Sequence, residues 1–176
     1  MKPSRPAGPH PPASTFTVDD LQAEEIDRLT WSGSAAHLRN VAGQLERRDA
    51  GVVDYLVVRD GTGTPVAKGG VDFEETSGAG TIFQLATHPD LQGRGHAQRL
   101  IAAAEDRIRS RGLTTARLAV EPDNTRAVRL YEHLGYRRVG ERDVSWEYER
   151  DDGALDRYHT TVVDMEKSLE PGPPSR

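Results

Sequence analysis

One stretch narrows the folds open to this chain more than any other: Leu85-Ala-Thr-His-Pro-Asp-Leu-Gln-Gly-Arg-Gly-His-Ala-Gln-Arg-Leu-Ile101. A strand-like run ends at Thr87, a loop holding Gly93 and Gly95 follows, and the loop opens directly into a helix. That helix puts Ala97, Leu100, Ile101, Ala104 and Ile108 on one side. A strand, a glycine loop and an amphipathic helix in this order require a layer of helix against sheet. The first turn of such a helix carries unpaired N–H groups and about half a positive charge, so it attracts an anion such as phosphate. Glycines have no Cβ, which lets the main chain approach an anion closely and adopt positive φ. The amides near Gly93, Arg94, Gly95, His96 and Ala97 are therefore candidate phosphate donors, and Arg94 or Arg99 adds charge. His96 is expected to face solvent or the ligand.

The rest of the chain fits the same layered scheme. Asp19 or Asp20 can cap a short helix reaching about Leu29, Trp31-Ser-Gly-Ser34 breaks it, and Ser34 can cap a second. Ala35, Leu38, Val41, Ala42 and Leu45 give that second helix its stripe. Strand signals follow at Val53–Arg59, residues 65–73 and residues 81–87, separated by Asp60-Gly-Thr-Gly63 and a second glycine turn. Beyond the helix of residues 95–111, the pattern predicts a strand at 114–121 and a helix at 125–134, stopped by Gly135. Closing strands are expected at 136–142 and 158–167, joined by a polar segment containing Trp146. The order defines a mixed sheet with helices on its faces, an α/β or α+β fold. Residues 15–168 are read as one folded domain. Residues 1–14 and 169–176, rich in proline and short of apolar side chains, are read as disordered tails.

Two familiar phosphate-binding patterns fail on the glycine loop. Gly93, Gly95 and Gln98 do not complete G-x-G-x-x-G, and no Gly-Lys-Ser/Thr ending is present. The segment Gln92-Gly-Arg-Gly95-His-Ala97, after a strand and His88-Pro89, instead resembles motif A of the GNAT superfamily of acetyltransferases, Arg/Gln-x-x-Gly-x-Gly/Ala. Downstream, Leu118-Ala-Val-Glu-Pro-Asp-Asn-Thr-Arg-Ala-Val-Arg-Leu-Tyr-Glu-His-Leu-Gly-Tyr136 is similar to that family's motif B. The resemblance covers about residues 50–142. It implies a mostly antiparallel sheet with helices on both faces and one splayed parallel pair, here residues 81–87 and 114–121. It also implies an N-acetyltransferase moving an acetyl group from acetyl-CoA to a primary amine of a small molecule or protein; the six histidines show no metal-ligand spacing, and no metal is expected.

Roles follow from that resemblance, residue by residue. Main-chain groups of Leu85, Ala86 and Thr87 would pair with the pantetheine arm, and an N–H there could hold the thioester oxygen. Gln92, Gly93, Arg94, Gly95, His96 and Ala97 would take the pyrophosphate. Asn124 matches a residue that contacts the cofactor arm, while its position also suits a helix cap. Tyr131 matches the acid that protonates departing CoA, although the stripe Ala127, Leu130, Tyr131, Leu134 also describes a core tyrosine. Glu121, at the end of its strand, is either a base for the attacking amine or a structural carboxylate near Arg126; Ala119 stands where family members often carry a glutamate. Trp31, Asp72, Glu74 and Trp146 are candidates for an acidic, aromatic acceptor site, and the tryptophans are equally suited to packing.

Composition limits the alternatives. A net charge of −5 argues against a nucleic-acid partner, and no run approaches the roughly 18 apolar residues of a membrane span. With no cysteine, disulfides, thiolate metal sites and cysteine nucleophiles are excluded, and a cytoplasmic location is favoured. The partners expected are acetyl-CoA and an amine, and a homodimer is compatible with the resemblance. A non-catalytic acyl-CoA-binding sensor would keep the same loop and stands as the alternative.

Overall fold

The computed structural model of the protein describes residues 15–150 and 152–170. Strands β1 (Thr17–Asp20), β2 (Val53–Arg59), β3 (Pro65–Asp72), β4 (Gly80–Thr87), β5 (Thr115–Val120), β6 (Arg137–Glu149) and β7 (Leu155–Ser168) form one sheet, in the order β1-β2-β3-β4-β5-β7-β6. Every neighbouring pair is antiparallel except β4 and β5, which run parallel. Helices α1 (Ala35–Asp49), α2 (His96–Ser110) and α3 (Thr125–His133) complete it, with a 3-10 helix over Ala23–Ser32.

Strand alternation divides the core into two layers. On one face, Leu100, Ile101, Ala104 and Ile108 of α2 pack with Leu56, Ala67, Val71, Ile82 and Leu118. Val128 and Tyr131 of α3 join that layer. On the other face, Val41 and Leu45 of α1 and Leu29 of the 3-10 helix meet Val53, Tyr55 and Val57 of β2. This second layer stops at β4. Arg117 and Ala119 of β5, and Glu121 just past its end, share its side of the sheet with no helix above them, which leaves an open floor beside α1.

Three expectations from the sequence change here. Asp19 and Asp20 lie in β1, not at a helix cap, because β1 pairs with β2 and Arg59 of β2 holds Asp19 at 3.3 Å and Glu25 at 2.6 Å. Gln22 is the N-cap of the following helix, where Glu25 Oε2 accepts from the Gln22 amide at 2.9 Å. The closing strands are longer than their signals, and Trp146 lies inside β6 in a hairpin that projects past β5. Finally, Leu169 is buried and its N–H bonds Thr114, so the folded unit reaches past residue 168. The expected tails at 1–14 and 171–176 lie outside the described residues. Ser34 does cap α1, accepting from the His37 amide.

Candidate functional site

The parallel pair is short. β4 and β5 are in register only from Gly80↔Ala116 to Ile82↔Leu118, after which both strands continue without pairing to each other. The divergence coincides with a bulge in β4, where the register against β3 slips between Lys68↔Ala86 and Gly70↔Phe83. Gln84 sits at the slip with φ 51°, the one non-glycine residue among those described with positive φ. That conformation costs about 1–2 kcal/mol. Side-chain bonds hold it: Tyr55 donates its hydroxyl to Gln84 Oε1 at 2.8 Å, and Gln84 Nε2 donates to Asn40 Oδ1 at 2.6 Å.

Past the bulge, Leu85, Ala86 and Thr87 line a cleft of about 600 Å³ that runs to the start of α2. Gly93 and Gly95 adopt φ 76° and 82°, and Gly95 is the N-cap of α2 with no side-chain hydrogen bond. The first amides of α2 therefore keep their donors for a ligand. A Cβ on Gly95 would meet nothing within 4 Å, so glycine is required there by the backbone angle and not by crowding. Gln92 lines the cleft and is held by Arg126, whose Nη1 donates to its Oε1 at 3.1 Å. Arg94 is exposed and is not part of the lining. His96 is among the residues that line the cleft but does not face solvent. Its ring is buried against Phe16 at 4.5 Å, with both ring nitrogens lacking a partner, and burial with the charges of Arg99 and Arg94 lowers its pKa. A neutral imidazole packed under the helix start results.

α3 supplies the opposite wall. Asn124 accepts from the Ala127 amide at 3.2 Å, a cap that uses its carbonyl and leaves its amide donors at the cleft. Tyr131 is 9% exposed and meets Tyr136 edge-on at 6.2 Å. Its hydroxyl makes no hydrogen bond among the described residues and is not a buried orphan, so it opens to the cleft that Tyr131 lines. Burial raises its pKa, keeping the phenol protonated at neutral pH. Arg126, Ala127 and Leu130 line the same wall. Arg126, expected near Glu121, belongs to the cleft instead, and its spacing two residues after Asn124 is the available signal.

The remaining candidates divide between two places. Glu121 is outside the cleft and accepts from the Tyr158 hydroxyl at 2.9 Å. Trp146, 47% exposed, packs at a tilt against Tyr158 with ring centroids 4.9 Å apart, and the register puts both on the open floor with Glu121. Trp31 packs on His88 at 5.5 Å, next to the end of β4. Asp72 and Glu74 do not join them. Asp72 pairs with Thr81, at the other end of β4 from Thr87, about 20 Å away at the usual strand rise. Its carboxylate accepts the amides of Glu74 and Glu75 and binds Arg47 at 2.7 Å, a turn-holding role.

Fold and cleft define the class: a mixed-sheet α/β domain with an uncapped helix terminus at a splayed parallel strand pair. Within that class the chain belongs to the acetyltransferase (GNAT) family, whose model matches residues 18–136. A mycothiol acetyltransferase of Beutenbergia cavernae is 31% identical over 130 residues, 74% of this chain and 37% of that protein. A [ribosomal protein bS18]-alanine N-acetyltransferase of Haemophilus ducreyi is 36% identical over 59 residues, 34% of this chain and 41% of that one. The chain thus spans well under half the length of these curated relatives. The crystal structure of the Escherichia coli ribosomal-protein-S18-alanine N-acetyltransferase has the same fold, with a TM-score of 0.66 and 19% identity over 92% of this chain and 99% of that one. Among the described residues no helix is long and apolar enough to cross a membrane, and no group of three or more His, Asp or Glu side chains is arranged to hold a metal ion.

Proposed function

We propose that the protein is an acetyl-CoA-dependent N-acetyltransferase acting on a primary amine in the cytoplasm. The observation that carries this reading is the uncapped start of α2, with Gly93 and Gly95 at positive φ, at the end of a cleft walled by the unpaired part of β4. Free amides there suit a pyrophosphate. The strand edge of Leu85, Ala86 and Thr87 suits the amides of a pantetheine arm, and Asn124 and Arg126 suit its flank. The amine approaches from the open floor, where Trp146, Tyr158 and Glu121 give a cation an aromatic and acidic wall. It attacks the thioester carbonyl. The C–N bond forms, the C–S bond breaks, and the sulfur takes the electron pair.

Tyr131 is suited to give that sulfur a proton, since its phenol is neutral and faces the cleft. An N–H past the β4 bulge would hold the oxyanion. Relatives named for mycothiol and for an alanine of a ribosomal protein leave the acceptor open between small molecule and protein. The long exposed β6–β7 hairpin is available to a second copy. Release of CoA thiol from acetyl-CoA with a panel of amines tests the proposal. Turnover that falls about 10²-fold in Tyr131→Phe supports it; binding of acetyl-CoA with no turnover on any amine converts the protein to a sensor module.

A further inference from the structure

An amine that is mostly ammonium at neutral pH must lose a proton before it can attack. Glu121, at the end of β5, is engaged by the Tyr158 hydroxyl, and position 119 is alanine and supplies no carboxylate. On the same face, one cluster of titratable groups has no other assignment. Lys68 of β3 is wholly buried, with its Nζ 2.8 Å from His37 Nε2 on α1 and 3.1 Å from the Tyr55 hydroxyl on β2. Tyr55 reaches Gln84 across Gly70, whose missing side chain leaves the passage open; a Cβ there would lie 3.1 Å from the Tyr55 ring and 2.5 Å from that of Phe83. Asn40, three residues after His37 on α1, closes the chain onto Gln84 at the bulge. Five side chains from four elements thus end at the point where β4 opens.

We propose that His37 and Lys68 form a two-residue proton relay that deprotonates the acceptor amine. His37 Nδ1 makes no hydrogen bond among the described residues and is not a buried orphan, so it is open to water and to an incoming ammonium. The ammonium gives its proton to Nδ1, while the Nε2 proton of the same ring passes to the lone pair of neutral Lys68. The amine becomes neutral, His37 stays neutral with its proton on the other nitrogen, and Lys68 becomes an ammonium that, after turnover, returns its proton to Nε2 as His37 Nδ1 releases one to water. His37 is the group that meets the substrate; Lys68 acts through it.

The surroundings leave Lys68 able to do this. His37 faces it from α1 and Tyr55 from β2, with Gln84 of β4 beyond, and no carboxylate lies within ion-pair distance among the described residues. The charges on the packed elements are spent elsewhere: Arg39 on Glu149, Arg47 on Asp72, Glu25 on Arg59. Burial lowers the Lys68 pKa to about 7 and, with the nearby lysine charge, that of His37 to about 4. A neutral lysine at working pH is an effective proton acceptor.

The relay rests on the transfer reading above, and the test separates the two. Rates are measured from about pH 6 to pH 10 with the fastest amine of the panel, and with hydroxylamine, which is uncharged at neutral pH. The wild-type rate should rise through a midpoint near 7, the lysine's own value. Lys68→Met and His37→Gln should each lose about 10²-fold in kcat at neutral pH with KM for acetyl-CoA unchanged. Both variants should recover as the amine's own alkaline deprotonation is reached, and both should acetylate hydroxylamine at close to the wild-type rate. A Lys68→Met profile that overlays the wild type, or an equal loss with hydroxylamine, overturns the relay. Silence of the wild type with every amine removes the transfer reading itself, and the relay with it.

Discussion

Replacing Lys68 by methionine should stabilise the protein near neutrality and lose that advantage in alkali. The unfolded lysine holds its proton up to about pH 10.5, whereas burial in the native chain brings its pKa to about 7. Below pH 7 both states are protonated and the native state bears the whole cost of the buried charge. As pH rises from 7 to 10.5 the unfolded state binds more protons than the native one, so stability rises with pH. The full shift corresponds to roughly 5 kcal/mol at about 1.4 kcal/mol per pH unit, a figure applicable here because the side chain has no exposed surface. Methionine removes that cost but leaves His37 Nε2 and the Tyr55 oxygen short of one partner each, an offset of about 1–3 kcal/mol.

The variant should therefore be more stable than wild type at pH 7 by about 2–4 kcal/mol. Its advantage should shrink by about 3 kcal/mol on going to about pH 9.5. Urea unfolding of both proteins at the two pH values measures this directly. His37 does not disturb the comparison, because burial lowers its pKa from 6.5 and the whole of its titration range lies below the window, with or without the lysine charge. A stability difference that stays constant with pH would refute the reasoning, since the lysine would then have an ordinary pKa in the folded chain.

Other outcomes are expected elsewhere in the fold. Gly95→Val places a branched side chain at φ 82° with no clash, so unfolding should show a loss of about 1–2 kcal/mol while acetyl-CoA affinity falls at least tenfold; unchanged affinity would remove the phosphate argument. Gly70→Ala sets a methyl 2.5 Å from the Phe83 ring, and an overpacking loss of about 1–3 kcal/mol should appear in urea unfolding. Glu105→Ala strips Lys167 and the Tyr136 hydroxyl of a buried acceptor that both now reach at 2.9–3.0 Å, at a cost of about 3–5 kcal/mol.

Much of the sheet was legible because alternation and glycine turns act locally. β2 has the bounds read from its β-branched run, and β3, β4 and β5 match within one or two residues. β1 was missed because four residues with two aspartates carry no apolar alternation; only pairing with β2 and the charge of Arg59 make them a strand. The cleft was legible through Gly93, Gly95, Asn124 and Tyr131, whose spacing survives without tertiary information. The acceptor side was not. Asp72 and Glu74 suggested an acidic wall, but antiparallel pairing carries them to the far end of β4. Lys68 carried no local signal of its own, and its burial depends on α1 folding over it and on Gly70 leaving room for Tyr55. Such a contact joins four elements distant in sequence, which no local pattern encodes.

The central claim is that the main-chain amides at the start of α2 hold the pyrophosphate of acetyl-CoA. Isothermal calorimetry with acetyl-CoA and with S-acetylpantetheine, which lacks the nucleotide and its phosphates, addresses it most directly. Saturable heat with the first and binding weaker by at least about a hundredfold with the second is expected, a difference of roughly 3 kcal/mol. Equal affinities for the two thioesters, or no heat with either, would contradict it.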